Sequence, residues 1–274
     1  MTTLPTGRHG RPAAVRVDEL YGASGLASAL ATTPAHDQLS EQIVAEWSHR
    51  DRLAPLAKYG ITPTRQLLFY GPPGNGKTMT AKWLAREITA SAQTARCVRI
   101  QCDQLVGHYM GDTARNVTQV LDWVESDPDA RNAVVLWDEV DTIFPSRKSL
   151  SSSANGREIT SAQATYWQRV DNWTNPNLFI LATNRRDDLD PALLSRIECQ
   201  IEFTPPMLDD ALTVIDYWAE LLHAHGGDVW GKQLRLLVKS DPRDPILSSF
   251  RELTQQIHRA ARDHVLFFSD DATP

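Results

Sequence analysis

Five short apolar runs punctuate the chain, Gln66–Tyr70, Cys97–Cys102, Ala133–Trp137, Leu178–Thr183 and Gln200–Phe203, and the segments between them place hydrophobic residues at helical spacing. Short continuous apolar runs suit strands buried on both faces, and helical connections return each strand parallel to the last. The alternation predicts an α/β fold: a parallel five-stranded sheet with crossover helices on both faces, a three-layer sandwich. Upstream, Leu39, Ile43, Val44 and Trp47 recur at helical spacing from Asp37 onward, predicting a helix that ends before Gly60. After Phe203 the strand pattern stops. Thr204-Pro205-Pro206 continues neither a helix nor a central strand and reads as a hinge. Beyond it Leu208–His223, Trp230–Val238 and Ser248–Val265 are helical patterns, the last with Phe250, Leu253, Ile257, Ala261 and Val265 close to one face.

The pattern divides the chain into an N-terminal extension, residues 1–37, an α/β core, 38–206, and a small helical domain, 207–274. The extension is rich in Gly, Pro, Ala and Thr and is expected to be weakly ordered, with at most one short helix within Val17–Leu30. With 274 residues, 42% of them hydrophobic, the chain is long enough to bury a sizeable core. Its 28 Lys and Arg stand against 34 Asp and Glu, a net charge of -6, so nucleic acid is not the default partner. Cys97, Cys102 and Cys199 have no metal-ligand spacing and read as buried thiols of a reducing cytoplasm. No stretch reaches the length of a membrane span and no signal peptide is visible, so a cytoplasmic location without membrane contact is expected. His223, His225, His258 and His264 fall at spacings that do not suggest a metal, and neither HExxH nor GxSxG occurs.

The sharpest chemical signal is Gly71-Pro72-Pro73-Gly74-Asn75-Gly76-Lys77-Thr78, between the run Gln66–Tyr70 and a helical pattern that opens at Met79. Glycines let successive backbone amides turn into one concavity, and the helix N-terminus adds partial positive charge, so phosphates fit there. Lys77 would reach the β and γ phosphates, and the Thr78 hydroxyl would join a magnesium shell. ATP and Mg2+ are therefore the expected ligand and cofactor, with Gly71 through Met79 lining the phosphates. The run Val134–Trp137 ends in Asp138-Glu139, with Asp141 close behind. Asp138 at the sheet's carboxyl edge can hold a magnesium water, and Glu139 can polarise an attacking water. Trp137, directly before these acids, reads as core packing. The run Leu178–Thr183 ends in Asn184, whose amide can hold the attacking water or meet the γ phosphate; read alone, an ordinary turn residue is the better account.

These motifs resemble those of the AAA+ ATPases over about Gln38–Val265. Gly71–Thr78 is similar to the Walker A motif of P-loop NTPases in the form GPPGxGKT, Val134–Asp141 to Walker B, and Asn184 falls at the sensor 1 position. Ala182-Thr183-Asn184-Arg185 followed by Leu189-Asp190-Pro191-Ala192-Leu193-Leu194 looks like the second region of homology of the classical AAA clade. The resemblance implies a P-loop NTPase core followed by a helical lid. It also implies that Arg196, in Leu194-Ser195-Arg196-Ile197, reaches a neighbouring subunit's nucleotide as an arginine finger, although the segment is shorter here than in that clade and has one arginine where two are common. Arg251, near the start of the last helix, is similar to a sensor 2 arginine. Tyr109-Met110-Gly111 resembles the first pore loop of unfoldases, and a second pore loop would lie near Lys148–Glu158.

The resemblance thus implies a magnesium-dependent ATPase that assembles into a ring, expected to be a hexamer, and remodels, unfolds or disassembles a protein substrate. A separate effector or adaptor protein is the expected source of recognition. The alternative is an AAA+ loader or nucleotide switch on nucleic-acid machinery. The compact ending at Arg196 and the sensor 2 position of Arg251 lean towards it, whereas Tyr109 and the acidic charge lean away.

Overall fold

The computed structural model describes residues 10–20, 37–88, 95–107, 109–146, 154–197, 199–241 and 243–268. Among these residues the chain forms two compact units. One comprises those before Ala23 together with Leu39–Gly71 and Thr78–Glu202; the other takes Asp37, Gln38, Pro72–Lys77 and those from Phe203 onward.

The first unit is built on a six-stranded sheet of β1 (Val15–Leu20), β2 (Gln66–Tyr70), β3 (Ala95–Gln101), β4 (Val134–Asp138), β5 (Leu178–Thr183) and β6 (Cys199–Glu202). Their spatial order is β1-β3-β4-β5-β2-β6. The five strands expected from the apolar runs are all present and parallel, with ends shifted by a residue or two at β3, β4 and β6. The sixth, β1, pairs antiparallel with β3, Val15 opposite Ile100 and Val17 opposite Val98. This corrects the reading of the N-terminal segment as a loose lead-in with at most a helix. Val15-Arg16-Val17-Asp18 alternates with period two: Val15 is buried and Val17 packs on the core, while Arg16 is exposed. Asp18 also meets Lys82 at 2.9 Å.

Register explains the core. Val15, Ile100, Trp137, Leu181 and Leu68 are paired across five adjacent strands and form one buried row. Over this face lie helices that follow α1 (Lys77–Ile88): α2 (Asp112–Ser126), with Val117, Val120, Leu121 and Val124, and α3 (Ala154–Asp171), with Ala162, Tyr166 and Val170. Trp137 is fully buried and meets the Tyr166 ring edge-on, with centroids 5.0 Å apart. Burial of a side chain this large stabilises the fold by roughly 3 kcal/mol or more. On the alternate positions Leu67, Phe69, Leu136, Ile180 and Ala182 are equally buried. A short helix, α4 (Pro191–Arg196), is capped by Asp190, which accepts the Ala192 N–H at 2.9 Å, and leads into β6.

The helix expected from Asp37 forms as several short pieces, a π-helical turn at Leu39–Val44, α-helical turns at Ala45–Ser48 and Arg50–Leu53, and a tighter 3-10 segment at Ala54–Tyr59. Gly60, at φ 80°, ends it. In the second unit α5 (Leu208–Leu221), α6 (Gly227–Ser240) and α7 (Phe250–Phe268) bury Val214 and Ile215, Trp230 and Val238, and Leu253 and Ile257. Among the described residues no helix is long and apolar enough to cross a membrane.

Candidate functional site

The segment Gly71–Gly76 joins β2 to α1, and three of its glycines hold the left-handed conformations that L side chains avoid: Gly71 at φ 133°, Gly74 at 85° and Gly76 at 91°. The chain thereby folds back on itself in front of a helix of 12 residues, the arrangement that suits an anion. Lys77, mostly buried, donates from Nζ to the Pro72 carbonyl at 2.9 Å, so its ammonium curls back over the loop. Thr78 and Met79 follow in the first turn and are half-buried.

The loop is also tied to the start of α7. The Arg251 N–H donates to the Gly74 carbonyl at 3.0 Å, and the Phe250 N–H donates to Asn75 Oδ1 at 3.4 Å. Asn75, 4% exposed, donates in turn from Nδ2 to the Phe203 carbonyl at 3.5 Å. A Cβ at Gly74 would lie 3.1 Å from the Arg251 Cβ and 3.2 Å from the Ser249 Cβ, so glycine is needed there for space as well as for φ. Arg251 thus sits at the loop by its backbone, with its side chain exposed.

Sheet order brings the other candidate residues to the same edge. β5 lies between β2 and β4, with Phe69 opposite Ala182, Asp138 also opposite Ala182, and Tyr70 opposite Thr183. Gly71, Glu139 and Asn184 therefore leave three adjacent parallel strands at their carboxyl ends, the edge where open α/β sheets bind ligands. Glu139 is exposed and holds a left-handed backbone, φ 58° and ψ 47°, which costs a non-glycine residue roughly 1–2 kcal/mol. Its carbonyl accepts the Thr142 N–H at 3.1 Å and hydroxyl at 2.8 Å, holding that turn. Thr183 donates its hydroxyl to Asp141 Oδ1 at 2.6 Å and accepts the Arg185 N–H at 2.9 Å, which fixes the backbone on either side of the exposed Asn184. Burial, and then the carboxylates of Asp138, Asp103, Asp141 and Glu139, push the Cys102 thiol well up.

Asp138 is held by Arg99 of β3, whose Nε and Nη2 reach the same carboxylate oxygen at 2.9 and 2.7 Å. Nothing in the local sequence marks this pair, since the partners are 39 residues apart. Two further contacts also escaped the sequence reading. Asp141 is bonded through Thr183, and Glu158 of α3 accepts both the N–H and the hydroxyl of Thr113 at 2.8 Å. Glu158 and Thr113 secure the base of the Tyr109 loop, because Thr113 Oγ1 also accepts the Gly107 N–H at 3.0 Å. Above that base Tyr109 is 68% and Met110 73% exposed, and Gly111, at φ 85°, precedes α2. Arg196, at the end of α4, is half-exposed; its guanidinium lies 4.6 Å from the centre of the Trp167 ring and 3.7 Å from Asp171. Of the segment expected as a second pore loop, residues 148–153 lie outside those described.

The residues present fit a nucleotide with a hard cation. The loop turned back at Gly71, Gly74 and Gly76 supplies backbone amides, and Thr78 and Asp138 offer oxygen donors. Among the described residues no group of three His, Cys, Asp or Glu side chains is arranged to hold a metal ion. Two oxygen donors, the Thr78 hydroxyl and the Asp138 carboxylate, are compatible with magnesium, which keeps several of its own waters.

Comparison with known proteins bears on the family and the fold. The sequence model of the family described as "ATPase family associated with various cellular activities (AAA)" matches residues 67–205, about half of the chain. The 26S proteasome regulatory subunit 10B homolog A of Arabidopsis thaliana is 30% identical over 173 residues, 62% of this chain and 41% of that protein. The 26S proteasome regulatory subunit 6A of Encephalitozoon cuniculi is 33% identical over 174 residues, 62% of this chain and 40% of that protein. The similarity thus spans about two fifths of the length of these curated relatives. Among solved structures, a chain of the E. coli MS115-1 HORMA:CdnC:Trip13 complex superposes with a TM-score of 0.66 at 19% identity, covering 94% of this chain and 95% of that one, which shows a shared fold.

Proposed function

The chain belongs to the AAA family of ATPases, and from that premise we propose that it hydrolyses magnesium-ATP and uses the cycle to remodel, unfold or disassemble a protein substrate as a ring-shaped oligomer, expected to be a hexamer. The observation that carries the reading is the sheet edge at which the glycine loop, Asp138-Glu139 and Asn184 leave adjacent strands.

In this reading the amides of Gly74, Asn75 and Gly76 cradle phosphate oxygens, and Lys77 exchanges its bond to the Pro72 carbonyl for the β and γ phosphates. Thr78 and Asp138 are the residues that would hold magnesium, which when bound would draw negative charge off the phosphates. Glu139, exposed and held by its turn, accepts a proton from the attacking water, and Asn184 orients that water. Arg196 serves the neighbouring subunit, where a fixed guanidinium stabilises charge that develops on the transferred phosphoryl group. Until then the Trp167 face and Asp171 carboxylate support it in its own subunit. The bond from Arg251 to Gly74 links the phosphate loop to α7, so movement of either is felt by the other.

Protein is the favoured substrate because Tyr109 and Met110 stand exposed on a loop whose base is pinned by Thr113 and Glu158. An aromatic grips an extended chain by contact area, without a demand for sequence. The names of the relatives, regulatory subunits of the 26S proteasome, also point to work within a larger assembly and to a separate effector or adaptor. Tyr109→Ala tests the substrate class: ATP hydrolysis should persist while unfolding of a tagged fluorescent protein substrate falls at least tenfold. Unfolding at the wild-type rate would refute the gripping role and favour the nucleic-acid loader.

A further inference from the structure

Among the described residues Arg99 is the one charged partner of the Asp138 carboxylate, and nothing in the nucleotide chemistry above uses it. β3 and β4 are parallel, with Arg99 opposite Leu136 and Gln101 opposite Asp138. Arg99, Leu136 and Asp138 lie on the same side of the sheet, so the guanidinium reaches along the strand by two residues to the carboxylate. Both Nε, at 2.9 Å, and Nη2, at 2.7 Å, converge on Oδ2, a short charge-assisted pair. The Asp138 side chain is only 15% exposed and that of Arg99 33%, so solvent screens the pair weakly.

We propose that Arg99 is the built-in counter-ion of Asp138 in the metal-free state and that it sets the magnesium concentration at which nucleotide binds tightly. The proposal rests on the reading of Asp138 as a magnesium residue. A divalent cation that approaches Asp138 must share the carboxylate with a fixed positive charge and is opposed by it. When no cation is bound, the guanidinium retains Asp138 and spares a mostly buried carboxylate from standing unpaired. Arg99 therefore weakens cation binding and stabilises the emptied site, which favours release over retention. A lysine at this position would keep the charge but lose the fork that holds one oxygen from two nitrogens.

The test is binding of a fluorescent ADP analogue to the full chain while free magnesium is varied from micromolar to millimolar. Arg99→Gln should lower the half-saturating magnesium concentration on the order of fivefold or more. Arg99→Lys, the variant least disturbing to the sheet, should shift it in the same direction by less. In an Asp138→Asn background Arg99→Gln should produce no further shift, because the carboxylate it balances is gone. Magnesium-dependent binding by the wild type with Arg99→Gln unshifted, or shifted to higher magnesium, overturns the counter-ion role alone. Wild-type binding that is indifferent to magnesium overturns it together with the reading of Asp138.

Discussion

Gly74→Ala perturbs the phosphate loop at a point where the structure gives two separable costs. The first is conformational: at φ 85° an alanine pays roughly 1–2 kcal/mol. The second is spatial, since the new Cβ would lie 3.1 Å from the Arg251 Cβ and 3.2 Å from both Cβ and Oγ of Ser249, so the start of α7 must give by a few tenths of an ångström, about 1 kcal/mol. The free protein can relax by letting the loop leave this conformation, and nucleotide must then restore it. The strain therefore appears as lost affinity, about 2–3 kcal/mol in all, or roughly 30- to 150-fold in Kd at 1.4 kcal/mol per tenfold. Titration with a fluorescent ATP analogue measures it. Gly60→Ala is the control: φ is 80° but nothing lies within 4 Å of the added Cβ. It should lower Tm by about 2–4 °C and leave nucleotide affinity unchanged. Wild-type affinity in Gly74→Ala, or an equal loss in Gly60→Ala, would refute the reasoning.

Two other outcomes follow from the same structure. Mixing Arg196→Ala subunits with Glu139→Gln subunits should restore part of the ATPase activity that each variant lacks, because a mixed ring contains sites with an intact arginine facing an intact glutamate; no recovery would place Arg196 outside the shared site. Burial pushes the Cys97 thiol up to about 12 and raises those of Cys102 and Cys199, so all three stay neutral at pH 8, and the thiolate is the reactive form. Iodoacetamide at pH 8 should leave the native protein unmodified by mass spectrometry and add three groups after denaturation; rapid native labelling of Cys97 contradicts its burial.

The five parallel strands were legible because each is a continuous apolar run closed by a turn motif, so neighbouring residues carry the signal. β1 was missed because it is an edge strand with charges at alternate positions, set in a Gly- and Pro-rich stretch that hides a period of only two residues. The helix from Asp37 was legible as a face, through Leu39, Ile43 and Trp47, but its break into short turns was not, since periodicity reports burial and not hydrogen-bond geometry. The glycine loop was readable as chemistry because its residue types are demanded by φ. In contrast Glu139 holds a left-handed backbone that its residue type does not announce. Trp137 beside the acids becomes intelligible only through register, which places it in the row from Val15 to Leu68 and against Tyr166. The pairs Arg99–Asp138, Thr113–Glu158 and Arg196–Trp167 join residues 39, 45 and 29 positions apart, and no local pattern encodes them.

The central claim is that the carboxyl edge of this sheet is an ATP-hydrolysing site in which Glu139 activates water. Glu139→Gln keeps the size of the side chain and the turn around it but removes the base. Nucleotide binding and phosphate release measured side by side should show ATP affinity within about threefold of wild type and turnover reduced by at least 100-fold. Phosphate release at the wild-type rate from Glu139→Gln would contradict the account.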